Sequence, residues 1–299
     1  MKTDRILSLL LFAALTGTAS SAPAPFTVHE GLTYSTAGLT MDLFVPESKN
    51  AKLPCVVVIQ GGGFMAQSGK RFRPFAVHLA EHGFAAALIA YRGRPQHTCP
   101  TTMADVRSAV RFVRRNAARH GIDPEKIGAM GRSAGATLAA LLAVGDETGS
   151  GAGDEPISSL IQAAVGLAGV YDFIARFTDR EQLALQPRSQ TKLATNGEWI
   201  GEAFATTNAA WLDASMVNHV DSADPPVLFI HCRDDGTVPW QQSRDAHAKM
   251  KAAGIAAELA LYETGGHGCR PRKGPDPLDR MVDFFRRTLG DGGATEINP

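Results

Sequence analysis

Residues 54–60, PCVVVIQ, constrain this chain more than any other stretch. A strand with one wet face alternates apolar and polar residues; this run is apolar on both parities, so both of its faces are buried. A sheet containing such a strand needs a layer packed on each side. Three further runs behave alike: FAAALIAY at 84–91, LIQAAVGLAG at 160–169 and PPVLFIHC at 225–232. LTMDLFVP at 39–46, KIGAMG at 126–131 and AAELALYE at 256–263 add shorter strands. Between them lie helical stretches near 72–82, 104–121, 133–145, 240–253 and 277–290. Strands alternating with helices predict an α/β fold, with a mostly parallel central sheet and helices on both faces.

In ADVRSAVRFVRRNAARHG, Val106, Ala109, Val110, Val113 and Ala117 recur at helical spacing. The arginines fall largely on the opposite side and read as a solvated face. Residues 171–224 break the strand–helix rhythm, so they read as a cap-like insertion in a single domain spanning 26–290. Trp199, Phe204 and Trp211 within it read as aromatic core anchors, with pocket walls as the alternative.

The N-terminus differs from the rest. Lys2 and Arg5 precede an apolar run from Ile6 to Leu15, followed by small residues. This is the three-part layout of a secretory signal peptide, expected over 1–22 with cleavage between Ala19 and Ala24. A secreted or periplasmic, soluble mature protein follows, with a disordered tail at 291–299. The run is too short to span a bilayer, so no stable membrane insertion is expected. Thirty basic residues balance thirty acidic ones among 299, which gives no basic excess for nucleic acid.

In parallel sheets of this kind, sites form at the carboxyl ends of strands. Three strand ends carry unusual residues: GRSAG at 131–135, HCRDDGTVP at 231–239 and TGGHGC at 264–269. With 30 glycines in 299 residues, a serine is framed as in GRSAG about once in a hundred, so the five residues decide nothing alone. Context decides. The chain order is Ser133, then an Asp, then His267, the order of a nucleophile elbow and its partners. A serine hydroxyl is a weak nucleophile and needs an adjacent base; imidazole suits this, and a carboxylate fixes its tautomer. A fourth strand end, QGGGF at 60–64, supplies backbone free of side chains, able to aim N–H groups at a developing oxyanion. Gly62, Gly63 and Ala134 are the expected donors. Among the other histidines, His231 reads as a structural hydrogen-bonder and His97 as a residue of a site-side loop that could touch substrate. His97, Cys99 and the loops near them match no usual metal-ligand spacing, and neither metal nor cofactor is expected.

With these residues in view, the chain resembles α/β-hydrolases of the esterase/lipase type. The nearest pattern is the bacterial carbohydrate-esterase-like group that includes acetyl xylan and feruloyl esterases. The resemblance rests on QGGGF, AYRGR, HGIDPEKIGAMGRSAG, SADPPVLFIHCRDDGTVP and GGHG, from about Leu39 to Phe285. It implies a serine esterase with Asp235 of DGTVP as the acid, Asp234 being the alternative, and a small-molecule or polysaccharide ester as substrate. A peptidase or amidase of the prolyl-peptidase-like type, or a binding protein that has lost catalysis, are the competing readings. Two departures stand out: Gln60 where the pattern has His before the glycines, and Cys232 where it has Gly. Separately, Cys232 and Cys269 flank Asp235 and His267, and a disulfide between them would staple the two loops. Cys99–Cys269 is the rival pairing.

Overall fold

The computed structural model describes residues 24–48, 52–145, 157–186 and 189–290. The proposed signal segment and the 291–299 tail lie outside them. Eight strands form one sheet: β1 Phe26–Thr33, β2 Thr40–Pro46, β3 Leu53–Ile59, β4 Ala85–Ile89, β5 Ile122–Arg132, β6 Ala163–Leu167, β7 Val227–Cys232 and β8 Glu258–Tyr262. Their spatial order is β1-β2-β4-β3-β5-β6-β7-β8. The pairings β1/β2 and β2/β4 are antiparallel, and all the others are parallel.

All seven residues of β3 are buried, as its unbroken apolar run requires. Its side chains divide by parity. Cys55, Val57 and Ile59 join one hydrophobic cluster, and Val56 and Val58 join another on the opposite face. The first cluster takes in α2 (Cys99–Arg115), α3 (Ala134–Val144) and α8 (Gln241–Ala252). The second is closed by α1 (Arg73–Glu81) and α9 (Pro277–Leu289). In α9, Asp276 caps the N-terminus by accepting from Leu278 N at 2.8 Å, and Phe284 and Phe285 are fully buried. Each such ring contributes about 1.5–3 kcal/mol. Every residue of α3 is buried, so its Ala-rich sequence is a packing requirement.

Several boundaries differ from the sequence expectation. β1 is an edge strand with mostly exposed or half-exposed residues, so it carries little apolar signal. α2 starts at Cys99 rather than near 104, because Pro100 sits in its first turn, where a missing N–H costs nothing. The arginine face of α2 is only partly solvated. Arg107 and Arg111 are buried; Arg111 Nε donates to Ile157 O at 3.0 Å, and Arg114 donates to Pro124 O and Leu160 O. Segment 157–160 lies over this face and offers carbonyls to the guanidinium groups.

The described residues of segment 171–224 form four α-helices, α4 Phe173–Thr178, α5 Arg180–Ala184, α6 Ser189–Ile200 and α7 Ala209–Asp213, and a 3₁₀ turn, Met216–Asn218. Three are short and start at side-chain caps, Asp172, Asp179 and Asn208. Trp199 and Trp211 are fully buried in the first cluster and Phe204 is partly buried against it, which is the anchoring role. Trp211 and Phe204 also border a surface cavity of ≈ 560 Å³.

Candidate active site

GRSAG lies where β5 meets α3. Ser133 has φ 57° and ψ −127°, left-handed backbone that a side chain rarely adopts and that costs about 1–3 kcal/mol. Its neighbours make the turn passable. A Cβ on Gly131 would stand 2.2 Å from the Gly135 carbonyl carbon, and one on Gly135 would stand 2.0 Å from Ile59 O. The Ser133 N–H donates to Leu167 O at 2.8 Å, which ties the turn to β6.

His267 reaches this serine from the 3₁₀ turn Gly266–Gly268 after β8. Its Nε2 lies 2.9 Å from Ser133 Oγ, and its Nδ1 lies 2.8 Å from Asp235 Oδ2. The carboxylate therefore fixes the tautomer with the proton on Nδ1 and the lone pair on Nε2, facing the hydroxyl. Asp235 is buried in the loop after β7 and also accepts from Thr237 N at 2.8 Å and Val238 N at 3.1 Å. Burial alone would raise its pKa. Hydrogen bonds from His231 and His267 outweigh that and hold the carboxyl well below the usual carboxylate range. Asp234 serves differently, as a brace for the loop that carries His267. Its oxygens accept from Gly265 N at 3.1 Å and Gly266 N at 2.7 Å.

QGGGF packs directly on the elbow, since a Cβ on Gly61 would lie 2.0 Å from Arg132 O. Among the described residues, the N–H groups of Gly62, Gly63 and Ala134 donate to no protein acceptor. Gln60, at the position where the pattern has His, is buried and braces this loop through both ends of its amide. Its Nε2 donates to Gln67 Oε1, and its Oε1 accepts from Arg71 N at 2.9 Å. Arg94 holds the far side: its Nε donates to Gly63 O at 2.7 Å, and its Nη1 pairs with Glu198 of α6. Phe64 stacks on Trp199 with centroids 3.9 Å apart. The insertion thus grips the loop that presents the candidate oxyanion donors.

Three residues acquire roles that the sequence did not assign. Arg132 donates to Gly268 O at 3.3 Å, with its guanidinium over Phe72, which links the elbow to the His267 turn. Arg176 of α4 is buried under the acid loop and donates to Thr237 O at 2.9 Å. Burial pulls its pKa down to about 10. His231, expected to be structural, is fully buried and reaches the acid itself: its Nε2 lies 3.2 Å from Asp235 Oδ2 and 3.1 Å from Val238 O, and its Nδ1 lies 2.7 Å from Ser243 Oγ. The only sequence signal was its place at the end of β7, four residues before Asp235. His97, by contrast, makes no ring contact with the triad residues among the described hydrogen bonds; its N–H donates to Gly93 O.

The cysteines are free thiols, so neither expected disulfide is formed. Cys232 and Cys269 are nevertheless neighbours: Cys269 Sγ donates toward Ile230 O at 3.9 Å, and the adjacent Cys232 thiol and burial push the Cys269 pKa up. Cys99 belongs to the hydrophobic cluster on the opposite face of the sheet from Cys269, which rules out the rival pairing. The Cys232 side chain fills the space beside Gly265, where a Cβ would approach its Sγ to 2.7 Å.

The arrangement presents a hydroxyl on a strained turn, an imidazole with its lone pair toward it, a buried carboxylate behind, and unpaired N–H groups alongside. Such a set can carry nucleophilic acyl transfer. Comparison with known proteins finds esterases among the similar chains. The chain is 32% identical over 193 residues to the probable carboxylic ester hydrolase LipM of Mycobacterium tuberculosis, covering 64% of this chain and 43% of LipM. It spans about half the length of the curated relatives it matches. Among solved structures, the bifunctional GH43-CE protein of Bacteroides eggerthii superposes with a TM-score of 0.75 at 25% identity, over 87% of this chain and 38% of that one. The butyrate-bound thermophilic esterase Est2 of Thermogutta terrifontis gives 0.68 at 27% identity, over 90% and 95%. The BD-FAE family model matches residues 41–250. This sheet with its flanking helices is the α/β-hydrolase fold, and the chain belongs to the BD-FAE family.

Proposed function

We propose that this protein hydrolyses carboxylic esters through an acyl-enzyme on Ser133. His267 takes the hydroxyl proton as Oγ attacks the ester carbonyl and then gives it to the departing alcohol. Asp235 orients the imidazole and stabilises the imidazolium. Gly62, Gly63 and Ala134 donate to the oxyanion, each such donor being worth about 10²–10³ in rate. Water, deprotonated by the same imidazole, then releases the acid and restores the serine. The observation that carries this reading is the unbroken line of hydrogen bonds from Asp235 through His267 to Ser133.

The proposed substrates are short-chain acyl or feruloyl esters of carbohydrates. The butyrate-bound Est2 neighbour supports a small acyl group. A secreted or periplasmic location, proposed from the N-terminal sequence, suits an extracellular polysaccharide or its fragments. Steady-state rates on acetyl, butyryl, longer acyl and feruloyl esters test the assignment, with Ser133→Ala alongside. The reading predicts highest kcat/KM on the short or feruloyl esters and loss of roughly 10⁴-fold or more in the variant. Equal rates for the two proteins would remove Ser133 from the mechanism.

A further inference from the structure

A cluster of side chains able to ligate a metal lies away from Ser133, where α1 meets α9. His78 and His82 are one helical turn apart, so their rings share one face of α1, with centroids 4.3 Å apart. Asp279 of α9 faces them, its Oδ1 3.8 Å from His78 Nε2. One ligand atom from each of the three lies within 4.8 Å of the others, and among the described residues this is the one such group.

Two details point to a ligand. His78 Nε2 is buried and has no hydrogen-bond partner. A buried polar atom without a partner costs about 1–3 kcal/mol unless something fills the role. His82 Nδ1 lies 2.7 Å from His78 O, a carbonyl left open at the helix end, so it donates there and leaves the Nε2 lone pair free. This is the outer hydrogen bond that orients a metal-binding imidazole. The charged neighbours also favour a cation: around His78 stand the carboxylates of Asp279, Asp276 and Glu81, besides the His82 ring.

We propose that His78, His82 and Asp279 form a site for one divalent late transition ion, zinc above all. Two imidazole nitrogens and one carboxylate suit zinc rather than magnesium or calcium, which take oxygen ligands. Tetrahedral ligands at about 2.0–2.2 Å from zinc stand roughly 3.3 Å apart, so the cluster must tighten. The Asp279 side chain is 65% exposed and free to turn inward. Water takes the fourth position. The bound ion would clamp α1 to α9 across the face of the sheet opposite α2 and α3. It plays no part in the ester chemistry.

Calorimetric titration of zinc into the untagged full chain, compared with the H78A/H82A double variant and with D279N, tests the site. The expected result is one equivalent bound by the wild type, with loss of that event in H78A/H82A and roughly tenfold or more weakening in D279N. Zinc should raise the Tm of the wild type and not that of H78A/H82A. Ester hydrolysis and circular dichroism of the metal-free variants should match wild type, which separates loss of the site from failure to fold. If a variant folds poorly, H82Q, which removes one of the two imidazoles, replaces it with the same expectation. Cobalt substitution distinguishes the thiols of Cys232 and Cys269, since thiolate ligation adds an intense charge-transfer band. No binding by the wild type, equal binding by H78A/H82A, or a thiolate band would overturn the proposal.

Discussion

Asp235 is where burial and hydrogen bonding oppose each other most sharply. Burial alone would neutralise the carboxyl; two imidazoles and two backbone N–H groups keep it ionised. Its pKa is depressed on folding, so its stabilisation is complete above the ordinary carboxylate value of about 3.9 and is lost as pH falls below it. His231→Asn removes one of the donors. The expected cost near neutral pH is about 1–3 kcal/mol, measured by urea unfolding. That gap should narrow as the buffer is taken below pH 4, because the less depressed carboxyl of the variant has less to lose. A gap independent of pH would mean that His231 supports the β7 end through Ser243 and Val238 alone. Asp235→Asn, in turn, should lower kcat by roughly 10⁴-fold, since an amide can hold the wrong imidazole tautomer.

Among the elements, the elbow and the proposed oxyanion loop pack closely because they approach without side chains between them. Gly135→Ala puts a methyl group 2.0 Å from Ile59 O, where only backbone movement relieves it. A loss of about 1–3 kcal/mol is expected, measured by thermal or urea unfolding, with a fall in kcat at temperatures where the fold persists. Arg94 links the oxyanion loop to α6 through Gly63 O and Glu198. Arg94→Ala should lower kcat by roughly 10–100-fold with KM less affected, because a displaced donor weakens transition-state binding most. A change in KM alone would place Arg94 in substrate binding instead.

The same elements show what sequence reveals and what it hides. β3, β4, β6 and β7 were legible because strands buried on both faces are apolar almost throughout, His231 of β7 being the exception. Ser133, the acid loop and His267 were legible as strand-end positions because each follows a strand of the parallel sheet, β5, β7 and β8 in turn, and carries glycine or a turn motif. The short helices of 171–224 were not, since α4, α5 and α7 are held by caps and by packing of Trp199 and Trp211 rather than by a long apolar period. The partners Arg94–Glu198 and Arg132–Gly268 were hidden too, because residues 104 and 136 positions apart leave no local pattern.

Across the molecule, two hydrophobic layers sandwich one sheet, and its carboxyl-terminal edge gathers residues from four chain segments, 60–64, 131–135, 231–239 and 264–269. No described helix is long and apolar enough to cross a membrane. If the N-terminal segment directs export, Edman sequencing of the exported protein should find a mature N-terminus between residues 20 and 25; an intact Met1 on that protein would contradict this. The proposed chemistry turns on a covalent intermediate at Ser133. Peptide mass spectrometry after reaction with an aryl alkylphosphonate ester reads that residue directly. One adduct per chain is expected, on the peptide holding Ser133, formed in step with loss of esterase activity and absent from Ser133→Ala. An adduct on another residue, or full activity in a chain modified at Ser133, would contradict it.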